Sequence, residues 1–503
     1  MPRASPERPN ILWLCTDQQR WDSLGCYGNG FVHTPNLDRL AASGVCFDHA
    51  FAQNPLCQPS RGSFLTGRYP VTTKLRQNGQ DLPDATLLIT KLLADQGYNC
   101  GLIGKLHLKA CDHRLKLGED WWRFDEKEWY QGCEQRIHND GYADFLWDHA
   151  PNPQKYPSSA YSRWVRAQNG GQPLDESFRD FPGSKFVSYG PPTELHQTTW
   201  CCEMAQDFIR AHHDQGYPWL LSVNIFDPHP HYNPPAEYLE RYGPLVDEIP
   251  LPNAEAAEFP TKLVLKDTGT REAESYHMGY LERTDRDHQW CRAAYWAMVD
   301  QIDRRIGEVL QTLETTGQLE NTLVLFTSDH GELLGDHGVY PKGPFLYDPA
   351  VRVPLIFSMP GTIAGGRRSS ALIELVDLAP TLLEAMGQPI HPQMQGRSIW
   401  SQLTSAEPID HFRDDVYVEY YNSQPHRHDN QIFLTSVRTP DCKLVVRHGH
   451  NDGELYDLKN DPGERFNLWG DPAWQTVKTD MLLRLATRMA QTADPLPERV
   501  GIF

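Results

Sequence analysis

A cysteine and an arginine stand one helical turn apart in the segment NPLCQPSRGSFLTGRYP, residues 54–70. Pro59 suits the first turn of a helix and Gly67 suits its end, so the segment predicts a short helix with Cys57 at its N-terminus. The free N–H groups and the positive dipole end of a helix favour an anion, and Arg61 can reach back toward the same point. We therefore expect Cys57 to meet a negatively charged group.

Cys57 on its own also allows other interpretations. Many buried cysteines are only small apolar core residues. A thiolate phosphatase wraps its phosphate in a C-x5-R loop, but position 63 is Ser63, which excludes that mechanism. A cysteine protease needs a paired histidine in an acyl-transfer architecture, and nothing beside Cys57 indicates one.

Polar side chains follow several apolar runs of the sequence directly. In an open parallel sheet the ligand site lies beyond the carboxyl ends of the strands, so these side chains should converge on one crevice. Two carboxylates, an amide and an imidazole would make an oxygen-rich site for a divalent cation: Asp17, Asp329, Gln18 and His330. Each alone could equally cap a helix or be a hydrogen-bonded polar residue, but this interpretation weakens for the set.

Further basic side chains belong to the same predicted crevice. They are Lys105, His107, His229, His231 and, a short loop after the last strand, Lys342. Each histidine taken alone could be an ordinary hydrogen-bonded loop residue. His337, in LGDHG, is expected just behind the ligands.

The elements that must position these residues are five apolar runs, which predict buried parallel strands. They are residues 10–15, 99–104, 219–226, 321–328 and 353–358. Between them lie helical patterns, among them TPNLDRLAASG, ATLLITKLLADQG and an amphipathic stretch from Arg292 to about Thr316. The alternation predicts an α/β fold, with a doubly wound, mixed but mostly parallel sheet and helices on both faces.

Two regions interrupt this alternation, about 110–195 and about 232–285. We interpret them as surface insertions that shape a pocket within a catalytic α/β domain at 1–405. From 406 to 503, short strands precede a helix at about 474–491, which predicts a smaller C-terminal α+β subdomain with a short antiparallel sheet.

Composition limits the partners and the compartment. The chain has 66 acidic and 47 basic residues and a formal net charge of −19, which argues against nucleic acid or an anionic membrane surface as a partner. Its 11 cysteines form no CxxC pair, so neither a zinc ribbon nor a disulfide framework is indicated. We find no signal sequence or transmembrane span and expect a cytoplasmic protein.

Residues 57–68 match the pattern C-x-P-S-R-x-x-x-L-T-G-R, and the sequence thereby resembles the type I sulfatases of the alkaline phosphatase superfamily. The likeness continues in TDQQRWDSLGCYG, GKLHL, DPHPHYNPP, TSDHGELLGDHG and LYDLKNDPGERFNL, in the family's order and spacing. The resemblance implies a hydrolase that cleaves the S–O bond of sulfate esters and releases an alcohol and inorganic sulfate.

The resemblance also implies the cofactors and the roles of the site residues. A maturation enzyme converts Cys57 to formylglycine, whose hydrate is a geminal diol: one hydroxyl, activated by a divalent cation, attacks sulfur, and the second expels sulfate. Arg61 holds the diol, and either His229 or Lys342 protonates the leaving oxygen. The implied ligands of the cation are Asp17, Gln18, Cys57, Asp329 and His330. The implied sulfate-handling and substrate-binding residues are Lys105, His107, His229, Lys342, Asn78 and His231, although Asn78 could also be a turn residue before Gly79.

Two positions depart from the commonest sulfatase pattern. Many sulfatases carry aspartate where Gln18 stands and asparagine where His330 stands, and this combination is more similar to choline sulfatases and phosphonate monoester hydrolases. The lower charge and the added nitrogen make Mn²⁺ a competitor to Ca²⁺.

The expected substrate is a small aryl, alkyl, choline or carbohydrate sulfate, which CQPSR and GKLHL favour. Alternatives are a phosphonate monoester or phosphodiester hydrolase on the same scaffold, and a pseudoenzyme that binds sulfated ligands without turnover. A homo-oligomer is possible. Aromatic residues of the first insertion either stack on the substrate or pack a small core of their own; they are Trp121, Trp122, Trp129, Tyr130, Trp147 and Trp164.

Overall fold

The structure is a computed structural model that describes residues 8–110, 140–147, 159–174, 179–255, 258, 279–421 and 432–493. Most of its strands belong to one nine-stranded sheet, and two short ones, β5 and β6, pair with each other. The strands of this part are β1 (Asn10–Thr16), β2 (Val45–Phe51), β3 (Asn99–Gly104), β4 (Tyr142–Trp147), β5 (Arg179–Asp180), β6 (Ser188–Tyr189), β7 (Trp219–Ile225), β8 (Thr322–Ser328), β9 (Arg352–Val353), β10 (Leu355–Ser358) and β11 (Arg367–Glu374).

The large sheet is mixed and mostly parallel, as the sequence predicts. Its order is β11-β2-β10-β8-β1-β7-β3-β4, with β9 beside β2. Strand β1 is parallel to both neighbours, β7 and β8, and β3 is parallel to β7 and β4. The prediction of a parallel strand at 353–358 is wrong, because β10 runs antiparallel to β8 and to β2. The connection from β8 to β10 contains no long crossover helix, so the chain re-enters the sheet from the end at which β8 leaves it.

Helices cover both faces of the sheet and bury it in two separate cores. Successive residues of β1 alternate between them: Leu12 and Leu14 belong to one core, and Ile11 and Trp13 to the other. The helices are α1 (Pro35–Ala42), α2 (Cys57–Thr66), α3 (Pro70–Thr73), α4 (Ile89–Asp95), α5 (Ala160–Gln168), α6 (Gln197–Ala211), α7 (Ala236–Leu239), α8 (Asp285–Thr315), α9 (Asp348–Val351), α10 (Leu378–Ala385), α11 (Trp400–Thr404) and α12 (Gln475–Thr492). Helices α1, α6 and α8 pack on the first core, and α2, α4 and α10 on the second.

A four-stranded antiparallel sheet follows in the C-terminal part, in agreement with the predicted α+β character. Its strands are β12 (Val416–Tyr421), β13 (Phe433–Arg438), β14 (Cys442–Arg447) and β15 (Asp452–Asp457). Helix α12 covers one face, where Met481 and Leu485 join Val437 and Leu444 in a core. The boundary between 405 and 406 stays a prediction.

The predicted first insertion is described only in part. Residues 142–147 form β4 and extend the large sheet beside β3. Trp164 is partly buried, and its ring stacks on that of Tyr161 with the centroids 6.2 Å apart. Trp147 is the last residue of β4, and Trp121, Trp122, Trp129 and Tyr130 lie outside the described residues. No helix among the described residues has the length and apolar character to cross a bilayer.

Candidate active site

Four neighbouring strands, β8, β1, β7 and β3, deliver polar residues to one edge of the large sheet. All four are parallel, so their carboxyl ends meet there. The residues that follow are Asp329 and His330 after β8, Asp17 and Gln18 after β1, His229 after β7, and Lys105 and His107 after β3. The predicted convergence on one crevice is therefore observed for this set.

Helix α2 brings Cys57 to the same place. Cys57 is the first residue of the helix and is buried, and the helix ends at Gly67, whose φ is 66°. Both ends agree with the prediction. The residue before the helix, Leu56, makes no side-chain hydrogen bond that caps it. Asn78 Oδ1 instead accepts a hydrogen bond from the backbone N–H of Gln58 at 3.1 Å. Asn78 thus holds the helix end that presents Cys57.

Four buried residues form a compact set of potential metal ligands. One ligand atom from each of Asp17, Cys57, Asp329 and His330 lies within 4.8 Å of the others. Cys57 Sγ is 3.2 Å from His330 Nε2 and 3.6 Å from Asp17 Oδ1. His330 Nδ1 lies 2.8 Å from the Gly331 carbonyl oxygen, which can only accept. Nδ1 therefore carries a proton, and Nε2 faces the cluster.

Gln18 and Lys342 complete this cluster. Lys342 Nζ donates to Gln18 Oε1 at 2.5 Å and lies 3.2 Å from both Cys57 Sγ and His330 Nε2. Two carboxylates, an amide oxygen and one imidazole nitrogen around residue 57 are a donor set that suits a divalent cation such as Mn²⁺ or Ca²⁺.

The two carboxylates are held by cationic side chains on one oxygen each. Arg61 Nε donates to Asp329 Oδ2 at 2.8 Å, and the Lys105 ammonium donates to Asp17 Oδ2. The other oxygen of each carboxylate faces His330 Nε2, at 3.7 Å for Asp17 and 3.6 Å for Asp329. The cations thus orient one oxygen of each carboxylate toward the cluster.

Arg61 retains one free donor. Its Nη1 donates to the Lys105 carbonyl at 2.7 Å and to Asn224 Oδ1 at 3.1 Å. Nη2 is buried without a hydrogen-bond partner among the described residues, and lies 3.8 Å from Asp17 Oδ2. A buried donor without an acceptor is costly, so Nη2 suits an added oxygen, whether on a modified residue 57 or on a bound anion.

Electrostatics favour anions in the centre of the cluster and the neutral form of two imidazoles beside it, those of His107 and His229. Burial and Cys57 raise the pKa of Asp17, but Lys105, His229 and Lys342 outweigh them and hold that pKa at about 2. Burial likewise raises the pKa of the Cys57 thiol, and Lys105, Lys342 and His330 lower it well below its usual value. Burial lowers the pKa of His107 to about 4. Burial and Lys342 lower the pKa of His229, so both imidazoles are neutral at pH 7.

His107 and His229 both lie beside the Cys57 sulfur. His231 is exposed and follows Pro230. The His337 ring stacks on that of Tyr347 with the centroids 3.9 Å apart. It therefore packs against the segment before α9, and its place behind the ligands stays a prediction.

Sequence reasoning missed two residues that contact the site. Asn224 accepts a hydrogen bond from Arg61 Nη1, and its signal was a polar residue in the otherwise apolar run WLLSVNIF. Glu332 accepts a hydrogen bond from Gln18 Nε2, and it stands two residues after His330 in the same loop.

Comparison with known families gives two matches. The Sulfatase model matches residues 9–388, about three quarters of the chain. A model of the N-sulphoglucosamine sulphohydrolase C-terminal region matches residues 335–491.

Individual proteins are also similar to the chain over most of its length. The chain is 28% identical to an N-acetylglucosamine-6-O-sulfatase of Bacteroides thetaiotaomicron, over 99% of this chain and 89% of that protein. It is 29% identical to PehA of Trinickia caryophylli, a multifunctional alkaline phosphatase superfamily protein, over 94% of this chain and 93% of that one. The crystal structure of the phosphonate monoester hydrolase of Agrobacterium radiobacter superposes with a TM-score of 0.78 at 25% identity, covering 97% of this chain and 96% of that one.

Proposed function

The chain belongs to the sulfatase family and is a sulfuric ester hydrolase, and we propose that it cleaves a small sulfate ester with a formylglycine at position 57 and one divalent cation. The observation that carries this proposal is the position of Cys57 Sγ, which lies within 3.6 Å of Asp17, His330 and Lys342 at the start of a helix. An oxidised side chain at this point would lie among the proposed cation ligands and within reach of the Lys342 ammonium.

The proposed ligands of the cation are Asp17, Gln18, residue 57, Asp329 and His330. When bound, the cation would supply Lewis-acid stabilisation of the negative charge that develops on oxygen. Formylglycine, as its hydrate, would supply one hydroxyl that attacks sulfur and a second whose deprotonation expels sulfate. The free Nη2 of Arg61 would donate to an oxygen of residue 57.

The other side chains handle the sulfate group. Lys105 and Lys342 neutralise the charge on the sulfate oxygens. The Lys105 ammonium donates to Asp17, and Lys342 Nζ lies 3.2 Å from Cys57 Sγ. His229 donates from Nδ1 to the Pro230 carbonyl at 2.7 Å, so its Nε2 is a hydrogen-bond acceptor while the ring is neutral. Asn78 and His231 are proposed to contact the alcohol part of the ester.

Mass spectrometry of the peptide that contains residue 57 tests the proposal. The protein is coexpressed with a formylglycine-generating maturation enzyme, under conditions that preserve aldehydes. We expect conversion of the thiol to formylglycine, and no sulfate release by Cys57→Ala. An unconverted cysteine in an active preparation, or an active Cys57→Ala, would refute the mechanism. An unconverted and inactive protein would support a binding pseudoenzyme instead.

Phosphonate monoester or phosphodiester hydrolysis is the second candidate. Gln18 Oε1 and His330 Nε2 in the ligand cluster favour it, as does the TM-score of 0.78 with a phosphonate monoester hydrolase. The ratio of kcat/KM for 4-nitrophenyl sulfate to that for a phenyl phosphonate ester decides between the two. A panel of aryl, alkyl, choline and sugar sulfates then identifies the ester, with N-acetylglucosamine 6-sulfate included because one relative is named for it.

Two further assignments accompany the function. Elemental analysis of protein purified without chelators distinguishes Mn²⁺ from Ca²⁺ as the resident cation.

We also propose a reducing compartment, the cytoplasm, because the cysteines that the structure describes carry free thiols. Thiol counting under non-reducing conditions, in protein from the native host, tests this assignment.

A further inference from the structure

We propose that Glu332 is a positioning residue that fixes the orientation of the Gln18 amide, so that Oε1 and not Nε2 faces the cation site. The proposal rests on the proposed cation site. It concerns a side chain behind the ligands and not a ligand itself.

Each polar atom of the Gln18 side-chain amide makes a hydrogen bond to a charged or acidic side chain. Nε2 donates to Glu332 Oε2, and Oε1 accepts from Lys342 Nζ at 2.5 Å. As placed, both Glu332 oxygens accept, Oε1 from the Leu334 N–H and Oε2 from Gln18 Nε2, and the Lys342 ammonium can only donate. Turning the amide by 180° would place its NH₂ group against the Lys342 ammonium, two donors facing each other, and would break the hydrogen bond that Nε2 gives to Glu332.

Glu332 is itself firmly placed. It is buried, and its Oε1 accepts a hydrogen bond from the backbone N–H of Leu334 at 2.8 Å, which leaves Oε2 for Gln18. Arg20 Nη1 donates to the carbonyl oxygens of Glu332 and Leu333, at 3.2 and 3.1 Å. These bonds fix the loop that carries the carboxylate.

The Gln18 backbone is also held by hydrogen bonds, so the side-chain amide can change only by exchanging the positions of its oxygen and nitrogen. Its φ is 66°, its N–H donates to Asp329 Oδ1 at 3.0 Å, and its carbonyl accepts from the Tyr295 hydroxyl at 2.7 Å. An amide presents oxygen and nitrogen in nearly the same shape, so a glutamine ligand needs a partner that distinguishes them. An aspartate at this position would not need such a partner.

Isothermal titration with Mn²⁺ tests the proposal, because it measures cation affinity without turnover. Glu332→Gln keeps the shape of the side chain but can either donate or accept, so we expect Mn²⁺ affinity to fall about 10- to 100-fold. In the double variant Gln18→Glu with Glu332→Gln the new amide can donate to the new carboxylate, whose second oxygen faces the cation, and affinity should return to the wild-type value or exceed it. Glu454→Gln is the matched control, because Glu454 is buried and accepts from the Tyr347 hydroxyl at 3.0 Å.

The outcomes separate this inference from the cation site on which it rests. If wild-type protein binds no Mn²⁺ or Ca²⁺, the cation site is wrong and the inference falls with it. If wild-type protein binds and Glu332→Gln binds equally well, only the inference is overturned. A loss in Glu332→Gln that the double variant does not restore would assign Glu332 to structural support and also overturn it. Should Glu332→Gln not fold, Glu332→Asp, which withdraws the carboxylate from Gln18, carries the same expectation.

Discussion

Lys342 Nζ lies 3.2 Å from Cys57 Sγ, close enough to reach a group bound at residue 57. His229 also reaches Cys57, but burial and Lys342 lower its pKa, and its Nδ1 proton is committed to the Pro230 carbonyl. A neutral His229 therefore has no proton to give from Nε2. Of the two residues that the sequence left as alternatives, we therefore propose Lys342 as the proton donor to the leaving oxygen.

The first prediction follows from this difference. Lys342→Met should lower kcat for an alkyl sulfate by about 10²- to 10⁴-fold, because an alkoxide needs a proton as it leaves. The loss for 4-nitrophenyl sulfate should be at least tenfold smaller, since nitrophenolate leaves without one. Steady-state kinetics on the two esters measure both effects.

Two variants control this prediction. Lys459→Met removes a lysine whose side chain is 66% exposed and should change neither ester. His229→Gln should slow both esters by similar factors. If instead His229→Gln shows the strong dependence on the leaving group and Lys342→Met does not, the roles are reversed.

The second prediction concerns Asp329, which accepts from Arg61 and from the backbone N–H groups of Gln18 and His330. Asp329→Asn removes one negative charge from the proposed ligand set, so cation occupancy and turnover should fall together while the far-ultraviolet circular dichroism stays unchanged. Excess Mn²⁺ should restore part of the turnover. Asp480→Asn, an exposed change, is the control. Full activity of Asp329→Asn in metal-depleted buffer would contradict the site.

Much of the site was predictable because its residues directly follow apolar strands. Asp17 comes one residue after β1 and Asp329 one residue after β8, so a sheet with parallel strands places them together. The orientation of individual side chains was not predictable. The Oδ1 of Asn78 accepts a hydrogen bond from the N–H of Gln58, a contact that depends on how the loop after α3 returns to α2.

The fold was predictable where strands are buried on both faces and read as continuous apolar runs, as β1, β7 and β8 do. Strand β2, VCFDHAF, was not singled out because Asp48 and His49 interrupt its apolar pattern, although five of its seven residues are buried. The direction of β10 was missed for a different reason. Direction depends on the path of the connection, and neither periodicity nor composition encodes that path.

The third prediction concerns the contact between the end of β11 and the segment just before β12. Arg413 donates to Glu374 and, at 2.6 and 2.5 Å, to both oxygens of Asp377, and all three side chains are buried. Arg413→Met would leave two buried carboxylates with less positive charge beside them. We expect the free energy of unfolding to fall by about 3–5 kcal/mol, measured by urea denaturation.

An exposed arginine gives the comparison for this change. The Arg304 side chain is 68% exposed and pairs with Glu308 at 3.2 Å. Arg304→Met should cost less than about 1 kcal/mol because solvent screens the pair. Equal losses in the two variants would show that the Arg413 network does not stabilise the junction.

The fourth prediction is a pH dependence of stability that originates in α8. Asp300 is buried there and accepts from the His33 N–H at 2.7 Å and from the Tyr242 hydroxyl at 3.1 Å. Burial raises its pKa from 3.8 to about 7, although both hydrogen bonds oppose the shift. The folded state therefore binds a proton that the unfolded state has lost between about pH 4 and pH 7. Because the folded state binds more protons in this window, the contribution of Asp300 to stability is present below the window and is lost as the pH rises through it.

Asp300→Asn should remove this dependence, because the amide can accept from His33 and has no charge to bury. As the pH rises from about 4 to about 7, Asp300→Asn should therefore become more stable relative to the wild type. The change in the difference of their unfolding free energies should reach up to about 4 kcal/mol. Urea denaturation at pH 5, 6, 7 and 8 measures that difference, with Asp214→Asn, a change at a 93% exposed side chain, as the control. Parallel stability curves for the wild type and Asp300→Asn would mean that Asp300 is ionised in the folded protein throughout this range, and that its two hydrogen bonds outweigh its burial.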